Sequence, residues 1–390
     1  MASLEAEGQS QKDILKELSS RLEKDFTYDS GRIIGSMCTS PHPLAKKVYA
    51  RYLEKNLGDS GLLPAVVEVE KEAIRMLGTL LSNQNASGHI VTGGTEANIL
   101  ALWAARNISN KNPCEVIVPV SAHCSFDKAA KLLGLKLVKV KLNAEGQVEV
   151  DAVKDAVSSA TIAIVGIAGT TELGAVDPIA ELSKIAQAKH LYLHVDAAFG
   201  GFVLPFLKEL QPEVPEFDFS LPGVYSITVD PHKMGLAPIP SGGILFRNEE
   251  LKRTVAWKIS YLSGGETEQA TLTGTRSGAS AIAVWAVLKH LGKSGYTKIV
   301  ERCMKYTRKL AEGIPRIQGL DTMAKPTMNI VGLKSHIFDV RQIAKELRAK
   351  GWAVSLFPTH IRIVVMPHVK ETNVNEFLND LEKIASRLRV

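Results

Sequence analysis

The segment Ser226-Ile-Thr-Val-Asp-Pro-His-Lys-Met-Gly235 carries an apolar, β-rich run into a tight polar loop. Within it, Lys233 follows His232 directly and precedes Gly235. A lysine amine withdrawn from water at a strand end has a lowered pKa and becomes nucleophilic. The bland alternative is a solvated lysine in a turn. A second run, Leu191-Tyr-Leu-His-Val-Asp196, is mostly apolar until it reaches Asp196, then passes into Ala-Ala-Phe-Gly-Gly201. A carboxylate at the end of such a strand is costly unless it is paired. A protonated ring nitrogen is one suitable partner; a helix cap or a structural ion pair are others.

Three further loops carry polar chemistry. Val91-Thr-Gly-Gly-Thr-Glu-Ala-Asn98 ends a strand and opens a helix, so Gly93, Gly94 and Thr95 offer N–H groups and a hydroxyl at the positive end of a helix dipole. That suits a phosphate. The pattern is neither G-x-G-x-x-G nor a Walker loop, and Gly292-Lys-Ser lacks the earlier Walker glycine because position 287 is Val. His123, in Pro119-Val-Ser-Ala-His-Cys-Ser125, could stack on a planar cofactor or be a structural histidine. Thr170, in Ala168-Gly-Thr-Thr-Glu-Leu-Gly174, could donate to a cofactor oxygen or serve turn chemistry. His190 and His194 are four apart, but on a strand-type pattern and without a third ligand, so no metal site is expected.

These loops need a frame to hold them. Residues 89–91, 115–119, 135–141, 161–167, 191–195, 226–229 and 243–246 read as seven short strands, with helices between the earlier ones at 95–107 and 178–189. Strand–helix alternation predicts a mostly parallel sheet covered on both faces, with ligands at the carboxyl ends of the strands. Helices are also expected at 11–25, 68–81, 279–291 and 296–312, and residues 31–43 read as a loop. From 329 onward, strands at 329–333, 353–356 and 361–365 and helices at 339–350 and 373–388 predict a smaller α+β domain. The expected division is an N-terminal helical segment at 1–70, a large domain at 71–292 and a small domain at 293–390.

The chain has 390 residues, 45% of them hydrophobic, enough for a large core. A formal net charge of +6, spread without a basic block, gives no nucleic-acid footprint. Cys38, Cys114, Cys124 and Cys303 form no C-x-x-C pair and fit a reducing cytoplasm. The polar N-terminus lacks the apolar core of a signal peptide, and no apolar run approaches bilayer length.

In combination, the His232-Lys233 loop and the Asp196 strand resemble those of the group II pyridoxal-phosphate decarboxylases, and among them the archaeal L-tyrosine/L-aspartate decarboxylases. The resemblance runs from Gly35-Ser-Met-Cys38 through Asn56-Leu-Gly-Asp59 to Ile361-Arg-Ile-Val-Val-Met-Pro-His368. It implies the aspartate-aminotransferase fold (type I of the pyridoxal-phosphate enzymes), pyridoxal 5'-phosphate as cofactor, and a homodimer with sites at the interface.

The same resemblance assigns roles. Lys233 would hold the cofactor as a Schiff base, Asp196 would pair with its ring nitrogen, and His123 would stack on its face. Gly93, Gly94, Thr95 and His232 would hold the phosphate with Asp230 nearby, and Thr170 would lie beside the ring. Tyr261, in Ile259-Ser-Tyr-Leu-Ser-Gly-Gly265, stands where a mobile loop carries the proton donor. Thr273-Gly-Thr-Arg276, with Thr275, resembles a segment that a partner subunit brings to the phosphate. Arg362 resembles a small-domain arginine that holds a substrate carboxylate.

The expected reaction is loss of CO2 from L-tyrosine, giving tyramine, or from L-aspartate, giving β-alanine. Glutamate decarboxylation and a carbon–carbon or carbon–sulfur lyase, such as one resembling sphingosine-phosphate lyase, are the rival activities on this scaffold. A catalytically silent scaffold is the third reading; the intact set Lys233, Asp196 and His123 argues against it.

Overall fold

The computed structural model describes residue 4, residues 6–211 and residues 213–389. Three helices come first, α1 (Gln11–Leu22), α2 (Pro43–Arg51) and α3 (Pro64–Leu80). The large sheet then takes strands β1 (Ser87–Val91), β2 (Glu115–Pro119), β3 (Lys136–Val140), β4 (Thr161–Ile167), β5 (Tyr192–Asp196), β6 (Val224–Val229) and β7 (Gly242–Phe246). Helices α4 (Gly94–Ile108), α5 (Ser125–Leu133), α6 (Val150–Ala156), α7 (Ile179–Ala188) and α8 (Leu204–Lys208) lie between them.

All seven expected strands form one sheet in the order β1-β7-β6-β5-β4-β2-β3. β7 alone runs against both of its neighbours, and every other pair of adjacent strands is parallel. β4 and β5 are buried at every residue, as continuous apolar strands covered on two faces must be. α4 is buried around most of its circumference because it crosses the sheet under a second layer; it packs on β4, β5, β6, β7 and α5. Gly242 lets β7 approach the loop before α4, since a Cβ there would come within 2.4 Å of the Gly93 backbone.

After α9 (Glu249–Arg253), a two-stranded ribbon of β8 (Trp257–Ile259) and β9 (Thr267–Gln269) stands apart from the main sheet. The two expected helices at 279–291 and 296–312 are one long element, α10 (Gly278–Gly313), broken at Gly292, whose φ is +54°. Beyond it, β10 (Leu320–Thr322), β11 (Ile330–Ser335), β12 (Ser355–Leu356) and β13 (Ile361–Val364) form an antiparallel sheet in the order β10-β11-β13-β12. Helices α11 (Val340–Ala349) and α12 (Glu371–Leu388) complete the small unit.

The structure also corrects the expected organisation. Residues 31–43 are more than a loop. Ile34 and Gly35 take their N–H bonds to Ala353, and Val364 donates to Ile34, so this segment joins the small sheet and then runs toward the large one. Strand β10 was not anticipated; its three residues are too short to show a period. α3 also crosses residue 70, so the expected N-terminal segment and the large unit share a helix.

A buried ion pair ties α3 to the segment before α10. Glu70 accepts from Arg276 at 2.6 and 3.2 Å and from the Ile90 N–H at 3.0 Å, with His89 Nδ1 at 3.2 Å. Burial opposes the Glu70 carboxylate, but Arg276 and the His89 hydrogen bond outweigh it and hold its carboxyl well below the ordinary value. Removing one member of such a pair strands a buried charge and costs roughly 3–5 kcal/mol. Glu70→Gln should therefore lower the unfolding midpoint by several degrees. A depressed folded pKa makes this stability complete above the unfolded carboxyl pKa of about 4.3 and progressively lost below it. The gap between parent and variant in thermal melts should accordingly close as pH falls from neutrality toward strong acid.

Candidate active site

The carboxyl ends of β1, β2, β4, β5 and β6 converge on one cavity of about 310 Å³. Each strand end contributes through the loop that follows it. Thr92 to Thr95 come after β1, Ser121 and His123 after β2, Gly169 and Thr171 after β4, Ala198 and Phe199 after β5, and Asp230, His232 and Lys233 after β6. Asp196 closes β5 itself. Met37, from the segment that leaves the small sheet, supplies a further wall.

Lys233 is held rather than free. The turn Asp230-Pro-His-Lys233 is closed by the Lys233 N–H to the Asp230 carbonyl at 3.0 Å, and the amine meets Asp230 Oδ2 at 3.0 Å. Burial pushes the Lys233 pKa down, but Asp230 and then Asp196 outweigh it, and the net shift is upward. The expectation of a lowered lysine pKa is overturned, because desolvation meets a buried carboxylate three residues away. His232 lies 3.6 Å from Asp230 Oδ2 and accepts from the Ser241 N–H; burial lowers its pKa despite Asp230. Asp230 Oδ1 is buried without a hydrogen-bond partner.

Asp196 has two donors. Ala198 N–H reaches Oδ1 at 3.0 Å and Asn98 Nδ2 reaches Oδ2 at 2.9 Å. His123 stands on the exposed side of the cavity, with its Nδ1 accepting from the Ser125 N–H at 3.2 Å. The first turn of α4 also lines the cavity, and just before it Thr92 is fastened to Glu96 by its N–H and hydroxyl at 2.8 and 2.7 Å. At Gly94 a Cβ would lie 3.0 Å from Asp230 Oδ2 and 3.3 Å from the Ala198 methyl, so any side chain would intrude on this corner.

The structure therefore brings Lys233, Asp196, His123, Gly93, Gly94, Thr95, Asp230 and His232 to one cavity. It does not bring the others. The Thr170 hydroxyl accepts from the Ala175 N–H at 3.0 Å, which is turn chemistry, while its neighbours Gly169 and Thr171 face the cavity. Arg362 is buried with its terminal nitrogens on the Thr171 and Gly35 carbonyls at 2.7 Å each; it braces the wall and does not line it. Thr275 lies in a separate small cleft with Thr92, Thr273 and Pro240, and Arg276 is turned inward to Glu70. Tyr261 is 85% exposed, between β8 and β9, and is not part of the cavity wall.

Sequence reasoning missed Asn98, Ser125 and Thr228, which form a buried polar network behind Asp196. The available signal was an amide in the otherwise apolar run Ala97-Asn-Ile-Leu-Ala-Leu102. His194 is part of this network, bonded to Ser226 and Asn98, and burial pushes its pKa down to about 4. Among the described residues no cluster of three or more His, Cys, Asp or Glu side chains could hold a metal ion. None of their helices is long and apolar enough to cross a membrane.

The donor set fits pyridoxal 5'-phosphate on geometric grounds. A helix N-terminus suits the phosphate, an amine suits the aldehyde, and a buried carboxylate suits a protonated pyridine nitrogen. An orphaned carboxylate oxygen and a glycine-lined corner mark the space as built for a polar guest.

Comparison with known proteins agrees. Residues 12–335 match the model of the pyridoxal-dependent decarboxylase conserved domain. The chain is 51% identical over 381 residues to an L-aspartate decarboxylase of Thermococcus kodakarensis, covering 98% of this chain and 99% of that one. It is 51% identical over 364 residues to a probable L-tyrosine/L-aspartate decarboxylase of Methanothermobacter thermautotrophicus, covering 93% and 99%. A solved sphingosine-1-phosphate lyase of Burkholderia pseudomallei superposes with a TM-score of 0.92 at 29% identity, over 100% of this chain and 94% of that one. With these likenesses running nearly end to end, and with an amine and a carboxylate sharing the cavity that the cofactor requires, the chain belongs to the pyridoxal-dependent decarboxylase family.

Proposed function

We propose that this carboxy-lyase acts on L-aspartate, giving β-alanine, and on L-tyrosine, giving tyramine. The observation that carries the reading is the joint presence of Lys233 and Asp196 in one cavity at the sheet's carboxyl edge. The names of the relatives support the substrates, since both of those described act, or are expected to act, on aspartate.

Bound pyridoxal phosphate supplies the electron sink for the pair left on Cα when CO2 departs. The chain's own residues do the rest. Lys233 holds the group through its amine, and Asp196 keeps the ring nitrogen protonated. His123 restricts the ring face, and the first turn of α4 with His232 holds the phosphate. Tyr261 returns a proton to Cα from its hydroxyl. Because Tyr261 is exposed and off its own cavity, we assign it to the cavity of the partner in a homodimer, carried on the β8–β9 ribbon. The ribbon has an anchor, as Gln269 donates to the Gly58 carbonyl at 2.7 Å, and Gly264 and Gly265 with positive φ form its bend. A carbon–carbon lyase reading rests on the Burkholderia likeness. Parallel assays of CO2 from aspartate, tyrosine and glutamate, and of aldehyde from a phosphorylated amino alcohol, decide between the two.

Three outcomes are expected. Borohydride reduction of the yellow protein should fix the cofactor to Lys233 on peptide mapping; a label on another lysine contradicts the assignment. Asp196→Asn should keep cofactor but lose turnover by on the order of 10²-fold, as lost electrostatic stabilisation does elsewhere. Mixing Lys233→Ala chains with Tyr261→Phe chains should restore about one quarter of parental activity. Random pairing makes half the dimers mixed, and each mixed dimer regains one complete site if Tyr261 serves the partner. No recovery means that Tyr261 serves its own chain or neither.

A further inference from the structure

Behind Asp196 lies a hydrogen-bond network that the assigned roles do not use. Its hub is Asn98, on the fifth residue of α4 and 1% exposed. The amide uses all four of its hydrogen-bonding positions. Its Nδ2 donates to Asp196 Oδ2 at 2.9 Å and to Ser125 Oγ at 2.9 Å. Its Oδ1 accepts from the Thr228 hydroxyl at 2.7 Å and faces His194 Nε2 at 3.0 Å. The amide cannot be turned over without loss, because a carboxylate only accepts and a threonine hydroxyl already donates to the other end. Because Asn98 Oδ1 can only accept, His194 donates to it from Nε2, and in the neutral ring Nδ1 then accepts from the Ser226 hydroxyl at 2.8 Å.

The Ser125 branch reaches His123, which lines the same cavity. Ser125 is fully buried, its hydroxyl is held by Asn98, and its N–H holds His123 Nδ1 at 3.2 Å. One amide thus connects the carboxylate expected to face the ring nitrogen with the histidine expected to cover the ring. We propose that Asn98 is a positioning residue that fixes the Asp196 carboxylate and the His123 ring relative to each other, and so sets how firmly the cofactor's ring nitrogen is held protonated. The proposal rests on the reading of Asp196 and His123 given above.

The mechanism is geometric and electrostatic. A carboxylate with two oxygens anchored, one by Ala198 N–H and one by Asn98, has a fixed plane. Free to rotate, it would present its charge to the ring nitrogen for only part of the time. Buried polar networks of this kind act as units, so a single deletion is felt at every member.

The test uses holoenzyme variants Asn98→Ala, Asn98→Asp and Asp196→Asn. Three readings are taken: the pH dependence of the bound cofactor's absorbance, cofactor affinity by titration of the apoprotein, and kcat with KM. Asn98→Ala should lower kcat about tenfold or more with KM little changed, weaken cofactor binding, and move the absorbance midpoint by a measurable fraction of a pH unit. Asn98→Asp is the isosteric control. It keeps an oxygen toward Thr228 and His194 but sets an oxygen against Asp196. Two carboxyls so close share a proton as pH falls, and the shared proton restores a hydrogen bond to Asp196. Absorbance and turnover of Asn98→Asp should therefore recover toward the parent at acid pH, while those of Asn98→Ala do not.

A purely structural Asn98 would lower the melting midpoint in both variants and leave the absorbance midpoint and its pH course at parental values. That result overturns the proposal, as does parallel pH behaviour of Asn98→Asp and Asn98→Ala. If Asn98→Ala fails to fold, Asn98→Asp alone decides through its acid recovery. Asp196→Asn separates the two levels of inference. Full activity there removes the reading of Asp196 itself, whereas an inactive Asp196→Asn beside a parental Asn98→Ala at all pH values removes only the role of Asn98.

Discussion

The structure turns on one constraint: a carboxylate must be kept at the end of a strand that is buried from first residue to last. β5 carries Asp196 at that place, and an unpaired charge there would be strongly unfavourable. Much of the surrounding architecture answers this need. α4 crosses the sheet close enough for Asn98 to reach Oδ2, and that closeness requires small residues, Ala97, Ala101, Ala104 and Ala105, on a helix buried nearly all round. β7 must in turn lie close to the loop before α4, which is why Gly242 meets Gly93 without a side chain between them. The sheet order, with β6 and β4 flanking β5, sets the lysine loop and the Thr171 loop on either side of the carboxylate.

The frame and half of the site were legible from the sequence because they obey local rules. Short, continuous, β-branched runs such as Thr161–Ile167 suit strands covered on both faces, and glycine-rich strand ends such as Val91 to Gly94 suit turns that open helices. Lys233, Asp196 and His123 stood at the ends of such runs. What stayed hidden depends on distant partners. Residues 31–43 look like a loop, because their hydrogen bonds go to Ala353 and Val364, over 300 positions away. Arg362 resembles a substrate ligand by its place in the sequence, and only the structure shows its terminal nitrogens on the Thr171 and Gly35 carbonyls while its Nε has no partner. The direction of the Lys233 shift was misread for the same reason: burial was inferable, but the reach of Asp230 back to the amine needed the closed turn.

Asn98 shows how such a residue escapes notice. Asparagine is a mediocre helix residue, and within a helix its side chain usually competes with the backbone. Here the competition is avoided because four partners on three other elements take all of its polar capacity. The sequence shows only a polar residue in an apolar helix. Its meaning arises when β5, β6 and α5 arrive with Asp196, His194, Thr228 and Ser125.

The same logic explains how a lysine and an aspartate from different strands are fixed relative to each other across the cavity. Ala198 performs the join with its backbone alone. Its N–H donates to Asp196 Oδ1 at 3.0 Å, and its carbonyl accepts the Asp230 N–H at 3.1 Å. Asp230 then holds the Lys233 amine through its side chain and the turn through its carbonyl. The path from carboxylate to amine therefore passes through main-chain atoms and one ion pair, with no flexible side chain bridging the two loops. Catalytic groups must be held within a fraction of an ångström of their working positions, and loops alone seldom achieve that. Splicing the loop after β5 to the loop after β6 gives both the rigidity of the parallel strands beneath them. An alanine suffices at the join because only its peptide groups are used, and its methyl is small enough to stand 3.3 Å from where a Gly94 side chain would begin.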